Sequence, residues 1–236
     1  MSGCESGVAV ISGGGSGIGR EIALALAGRG YALALLGRRN EPLEATLEQA
    51  GGRGLALPCD VRDAAAVAEF KRRVLAEWPA VDLLVPAAGV AELTAVEETS
   101  PESFANQIET NLTGTFLLLR AFLPGMKERG RGWIFPVLSV AARQGFPQWG
   151  AYCASKWGVA GLVAALRAEL AGTGIRITTL FPGATATSLW DHLAGAWDRE
   201  AMIRPGEVAR AILWALDGDE SAVPEEIHLA PAGGAL

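Results

Sequence analysis

The sequence is poor in the groups that crosslink chains or hold metals. Its 236 residues include three cysteines, Cys4, Cys59 and Cys153, and two histidines, His192 and His228. An odd number of widely spaced cysteines is no disulfide framework. No CxxC or HxxxH spacing joins these side chains, so no metal site is expected. Positive charge is also in deficit, with 20 Lys and Arg against 26 Asp and Glu and a net charge of -6. Nucleic-acid binding needs a basic patch to neutralise phosphates, so nucleic acid is not an expected partner. No apolar run is long enough to span a bilayer, which sets a membrane role aside. Residues 1–7 lack a basic segment followed by a long apolar run, so no signal peptide is expected and the cytoplasm is the expected compartment. Half of the chain is hydrophobic and only 19% is charged, which allows a substantial core.

Strand and helix signals alternate along the whole chain. Residues 7–12 form a short apolar run without a period of two, the mark of a strand buried on both faces. Further strands are predicted at 32–36, 55–57, 82–85, 133–138, 175–181 and 226–230. Helices are predicted at 18–27, 41–50, 63–78, 100–129, 151–171 and 205–216. Asp63 and Ser100 stand where helix caps are needed, and Pro42, Pro101 and Pro205 fall in first turns, where a missing N–H costs little. No linker divides the chain. The pattern predicts one α/β domain over residues 1–236, a doubly wound parallel sheet with helices on both faces. Such sheets bind ligands at the carboxyl ends of their strands, so chemistry is sought just after each strand.

After the first strand come Gly13, Gly14, Gly15, Ser16, Gly17, Ile18 and Gly19. Gly13, Gly17 and Gly19 have the spacing G-x-x-x-G-x-G. Glycines allow a tight turn and close approach of a pyrophosphate, and the helix that follows offers free N–H groups to it. The position between strand and helix makes this a dinucleotide-binding loop. At the end of the second strand an acid would hold the ribose 2′-hydroxyl of NAD, and an arginine would accommodate the 2′-phosphate of NADP. The chain has Arg38 and Arg39 there and no carboxylate until Glu41, which selects NADP(H).

Ser139 follows the fifth strand, Tyr152 comes thirteen residues later and Lys156 four after that. Tyr152 and Lys156 are an i, i+4 pair on one helix face. A free phenol has a pKa of about 10, and a neighbouring ammonium is expected to lower it. Tyr152 could then pass a proton to a carbonyl oxygen or take one from an alcohol, with Ser139 bonded to the same oxygen.

Together these residues resemble the short-chain dehydrogenase/reductase family, in its compact one-domain subgroup, from Ser12 to about Thr187. The resemblance implies a Rossmann fold and reversible hydride transfer between NADP(H) and a carbonyl or alcohol carbon. It implies catalytic roles for Asn111, Ser139, Tyr152 and Lys156, with Asn111 supporting the lysine through a water. Cofactor contacts are implied for Gly13, Ser16, Gly17, Ile18 and Gly19, for Arg38 and Arg39, and for Asp60 and Val61 beside the adenine. They are also implied for Ala88 and Gly89, for Tyr152 and Lys156 at the nicotinamide ribose, and for Pro182, Gly183, Thr185 and Thr187 on the nicotinamide side. Ser12 stands where the family usually has threonine. One departure is larger. Where the family carries Asn-Asn-Ala-Gly, this chain reads Pro86-Ala87-Ala88-Gly89, so two side chains that brace the loop are missing. Pro86, without an N–H, belongs at a strand end.

The substrate side is expected over residues 185–204, an apolar lid holding Leu189, Trp190, His192, Leu193, Trp197 and Met202, with a small or medium hydrophobic carbonyl beneath it. Ordinary packing of a short helical pair explains the same composition. Val140, Ala141, Gln144, Phe146 and Trp149 are expected to wall the pocket. His192 reads as a surface or lid residue, and Cys153 as packing on another helix face. Apolar helices at 112–129 and 151–171 correspond to the family's dimer interface, so a homodimer or homotetramer is expected, although burial within one subunit gives the same pattern. Two other functions remain open: an NAD-linked dehydrogenase with incidental arginines, and a catalytically idle NADP-binding sensor or scaffold.

Overall fold

The computed structural model describes residues 7–193, 195, 197–219 and 221–234. Cys4 lies outside them. Six strands form a parallel sheet: β1 (Val8–Ser12), β2 (Ala32–Gly37), β3 (Gly54–Pro58), β4 (Leu83–Val85), β5 (Gly132–Ile134) and β6 (Ile175–Ile177), in the order β3-β2-β1-β4-β5-β6. A parallel pair, β7 (Thr179–Pro182) and β8 (Glu226–Leu229), extends it. The strands are near-continuous apolar runs because both faces are covered. On one face Val10, Ala34, Leu36 and Leu84 pack under α3 (Ala64–Glu77), α5 (Gly114–Arg129) and α6 (Gly150–Glu169). On the other, Ala9, Ile11, Leu33 and Leu35 pack under α1 (Gly17–Gly28), α2 (Asn40–Gln49) and α7 (Pro205–Leu216). The doubly wound expectation holds.

Local chemistry sets several boundaries. The Asp63 carboxylate accepts from the N–H groups of Ala65 and Ala66 and starts α3; such a cap is worth about 1 kcal/mol. Ser100 accepts from the Ser103 N–H and starts α4 (Pro101–Ile108). The helical region expected over 100–129 is real but is not one regular helix. A wide π turn, Glu109–Thr113, joins α4 to α5.

Two strands differ from expectation. The fifth was predicted to run to 138 but is regular only over Gly132–Ile134. Pro136 brings no N–H to the ladder, and pairing resumes as a single bridge between Val137 and Leu180. The strand predicted over 175–181 is split at Thr178. Its N–H still reaches Ile134 O, while Thr179 turns to pair with β8. The Thr178 hydroxyl accepts from the Trp133 indole N–H at 3.0 Å, which fixes the break in the interior. No described helix is long and apolar enough to cross a membrane.

In this strand order the direction of winding reverses between β1 and β4, and the crevice lies at their carboxyl ends.

Candidate active site

Two chambers meet at that edge, one on each side of the glycine loop. The first, about 160 Å³, is lined by Gly13, Gly15, Ser16, Arg38, Arg39, Asp60, Val61, Ala88 and Gly89, among others. Gly13 and Gly17 have positive φ of 68° and 51°, where side chains are strained. A Cβ on Gly19 would stand 2.4 Å from Gly13 O, so the loop leaves no room for one. The first turn of α1 has no side-chain cap and no acidic residue, so its N–H groups and the positive end of the helix dipole are open to an anion. These features fit a pyrophosphate.

Arg38 and Arg39 are exposed at the end of β2, and neither side chain is hydrogen-bonded among the described residues. Asp60 is otherwise engaged. Arg62 donates to both of its oxygens, at 2.7 to 3.1 Å, and this pairing holds the carboxyl below its usual range, with Arg38 adding to the effect. Burial and the nearby Asp60 and Asp63 push the Cys59 thiol up to about 11, so it lines the chamber as an unreactive group.

The loop carrying Pro86 and Ala87 is braced without asparagine side chains. The buried Ser12 hydroxyl accepts from the N–H groups of Ala87 at 2.9 Å and Ala88 at 3.0 Å. Pro86 lies just past β4, as its chemistry requires, and its carbonyl accepts from the Val137 N–H.

The second chamber, about 200 Å³, is lined by Ser139, Tyr152, Pro182, Gly183, Thr185 and Thr187 on one side. Val140, Ala141, Gln144, Phe146 and Trp149 form the expected wall. Thr187 also touches the glycine loop, since a Cβ on Gly17 would lie 3.1 Å from its methyl carbon. Of the residues expected in the lid, Leu189, Trp190 and Trp197 line the cavity. Leu193 and Met202 instead pack with Trp190 in a small core of their own, and His192 is exposed. Both readings of this segment are therefore realised, by different residues. Ala230 and Pro231 complete the lining and carried no signal in the sequence.

Ser139 and Tyr152 both line this chamber, the Ser139 hydroxyl accepts from the Ala141 N–H at 3.1 Å, and Tyr152 is buried. Lys156, on the next turn of α6, is also buried. Its ammonium does not reach the phenol oxygen: Nζ stands 5.6 Å from the ring centroid and donates to Val137 O at 3.0 Å. The expected lowering of the phenol is therefore overturned. Burial pushes Tyr152 up to about 12, the nearby Ser139 hydroxyl only partly opposing it, and burial pushes Lys156 down to about 8. Desolvation outweighs a cation held over the ring face.

Asn111 sits in the π turn and is fully engaged. Its carbonyl accepts from the Val90 N–H at 2.8 Å, and its amide donates to Val90 O and to Ser155 Oγ, both at 2.9 Å. Ser155 in turn donates to Tyr152 O at 2.7 Å. This chain ties the loop after β4 to the helix that carries Tyr152. Ser155 was missed in the sequence, although its place between Tyr152 and Lys156 was a visible cue. Arg199 was missed as well. It donates to Thr187 O and, at 2.6 Å, to Asp191, tying the later part of the lid back to its start.

Among the described residues, no group of three His, Cys, Asp or Glu is placed to hold a metal. Cys153 is partly buried and makes only a long contact, 3.9 Å, to Gln144 O.

The family model described as short chain dehydrogenase matches residues 7–196. The chain is 38% identical to a D-threitol dehydrogenase of Mycolicibacterium smegmatis, over 96% of this chain and 92% of that protein. Among solved structures it resembles an alcohol dehydrogenase of Thermococcus sibiricus complexed with 5-hydroxy-NADP. That match has a TM-score of 0.86 and 33% identity, and covers 95% of this chain and 96% of the other. It also resembles an actinorhodin polyketide ketoreductase with NADPH, with a TM-score of 0.88, 33% identity and 97% of each chain covered.

Proposed function

The chain belongs to the short-chain dehydrogenase family, and from that premise we propose that it is an NADP(H)-linked carbonyl reductase or alcohol dehydrogenase. The observation that carries the reading is that Ser139 and Tyr152 stand together in the wall of a cavity that also takes in Ile18 at an uncapped, glycine-lined helix start. The crystallised relatives that bind NADPH or an NADP derivative support the cofactor, as do the two arginines at the end of β2.

When bound, the cofactor supplies or accepts the hydride. The residues of the chain do the rest. Gly13, Ser16, Gly17, Ile18 and Gly19 offer backbone to the pyrophosphate. Arg38 and Arg39 would pair with the 2′-phosphate, and Asp60, Val61, Ala88 and Gly89 would hold the adenosine half. Pro182, Gly183, Thr185 and Thr187, which line the second chamber, would hold the nicotinamide side. Tyr152 gives its proton to the carbonyl oxygen in reduction, and Ser139 polarises that oxygen. The phenol is protonated at neutral pH, so it holds the proton that reduction requires, although burial makes it a weaker acid than a free phenol. For oxidation it must be lowered, and both Lys156 and an oxidised nicotinamide, each a cation, act in that direction. Asn111 positions Tyr152 through Ser155.

We take residues 1–236 as one NADP(H)-binding domain with the lid at 185–204, working in the cytoplasm as a homo-oligomer. Phe104, Phe116 and Trp157, each more than two-fifths exposed on α4, α5 and α6, support association through those helices.

Tyr152→Phe tests the assignment. It should lower turnover by roughly 10²–10⁴-fold and leave the NADPH dissociation constant within about threefold of the parent. Equal turnover in the two proteins would sink the proton-donor role. Preference for NADH in a parallel titration would keep the enzyme and remove the arginine argument.

A further inference from the structure

We infer that the substrate is a flat, uncharged carbonyl compound with an aromatic or cyclic apolar body, and that polyhydroxylated carbonyls are excluded. The reaction rests on the oxidoreductase reading above; the substrate class is new. Three tryptophans surround the space beside Tyr152. Trp149 stands edge-on to Tyr152 with ring centroids 5.2 Å apart, and to Trp190 at 5.8 Å. Trp190 and Trp197 are tilted together at 4.7 Å. The Trp190 N–H donates to Thr185 O at 2.9 Å and the Trp197 N–H to Leu193 O at 3.4 Å. Two of the three indoles therefore have only ring surface left to offer.

The other polar groups are few. Thr185 already donates to Gly183 O at 2.9 Å. Gln144 and Thr187 remain beside the Ser139–Tyr152 pair, and no charged side chain lines the cavity among the described residues. One carbonyl oxygen finds two hydroxyl partners there. Each further hydroxyl of a polyol would leave water for a ring face, at a cost of about tenfold or more in affinity. An aromatic body gains buried area and edge-to-face contacts with the same rings.

The backbone holds this arrangement at some strain. Gln148, just before Trp149, has φ of 67°, the left-handed region disfavoured for all residues but glycine. Its carbonyl accepts from the Thr94 N–H at 2.9 Å, and the Trp149 N–H bonds to Phe146 O at 3.2 Å. In reduction the substrate carbon takes a hydride from NADPH and its oxygen a proton from Tyr152, yielding a secondary alcohol and NADP⁺.

The test uses the full chain with NADPH and compares kcat/KM for 1-phenylethanone with that for 1,3,4-trihydroxybutan-2-one. The aryl ketone should win by about 100-fold or more, the sum of two or more unpaired hydroxyls. Trp190→Ala and Trp197→Ala should each lower that advantage about tenfold. Calorimetric titration of the NADP⁺ complex with 1-phenylethanone, in which both partners are already oxidised, reads binding without turnover. Equal or better use of the trihydroxy ketone, or no binding of 1-phenylethanone to a complex that holds NADP⁺, overturns the substrate class and leaves the oxidoreductase reading intact. If NADP(H) itself does not bind, the oxidoreductase reading falls, and the same titration of the cofactor-free chain decides the aromatic site alone.

Discussion

Replacing Ser12 by alanine should be far more damaging than the loss of one hydroxyl at a strand end suggests. The Ser12 oxygen is the acceptor for two backbone N–H groups, those of Ala87 and Ala88. The loop that carries them has no asparagine side chains to take over, because Pro86 and Ala87 stand in their usual places. Each buried donor left without a partner costs about 1–3 kcal/mol. Ala87 and Ala88 are only partly buried, so water can reach part of the gap. A total of about 2–3 kcal/mol follows from the low end of that range. For a domain of this size it corresponds to a fall in Tm of about 4–12 °C. Ser12→Thr keeps the oxygen and is the control. Thermal unfolding followed by circular dichroism, without cofactor, measures both. NADPH affinity should fall in step for the alanine variant, since a Cβ on Gly13 would already lie 3.1 Å from this loop. A Tm within about 1 °C of the parent, against the change of several degrees expected per this size of loss, would refute the bracing argument and leave the loop held by its strand alone.

The buried pair gives a pH prediction with a definite sign. Lys156 is neutral above about 8 when folded, against 10.5 ordinarily, so the unfolded chain binds more protons between these values and stability rises with pH there. Tyr152 ionises at about 12 when folded, against 10.0, so stability falls again above pH 10. Lys156→Met should raise the Tm of the cofactor-free protein at pH 7 and abolish its rise between pH 8 and 10, while turnover is lost; an unchanged pH profile of stability would contradict the burial argument. Arg38→Asp should weaken NADPH by about tenfold or more, as expected for a lost charge-assisted contact, and NADH far less; fluorescence titration with each cofactor decides it. Arg199→Ala releases Thr187 O and Asp191 together, so KM for the carbonyl substrate should rise severalfold more than kcat falls. A drop in kcat alone would place Arg199 outside lid closure.

Legibility in the sequence followed the range of the interaction. Asp63 and Ser100 cap helices through N–H groups two or three residues away, so their elements could be placed from a few letters. The doubly wound order was readable because alternation of strand and helix leaves few alternatives. The split at Thr178 was not readable, because it depends on an indole 45 residues away. The glycine loop, Ser139, Tyr152 and Lys156 were found by their spacing. The direction in which the phenol and the ammonium move was not, because spacing on a helix does not report burial or where a cation points. Ser12 and the loop it braces are 75 residues apart, and no local pattern announces that hydrogen bond. The lid was read as apolar from composition; which of its tryptophans face the cavity and which residues serve as its own small core is a matter of packing.

The π turn between α4 and α5 acts as a phase shifter. A regular α-helix advances about 100° per residue, and the wide turn at Glu109–Thr113 inserts its slack between two stretches that are otherwise one continuous coil. On one side Ser103 and Gln107 meet the segment around Glu92; on the other Leu118, Phe122 and Met126 meet the sheet. Removing one residue from the turn would give a more regular helix with a better set of local bonds. It would also rotate one half against the other and swing Asn111 off Val90 and Ser155. The better-ordered coil would be the poorer machine, so a small irregularity here keeps two surfaces, one for packing and one for the site, in separate register on a single rod.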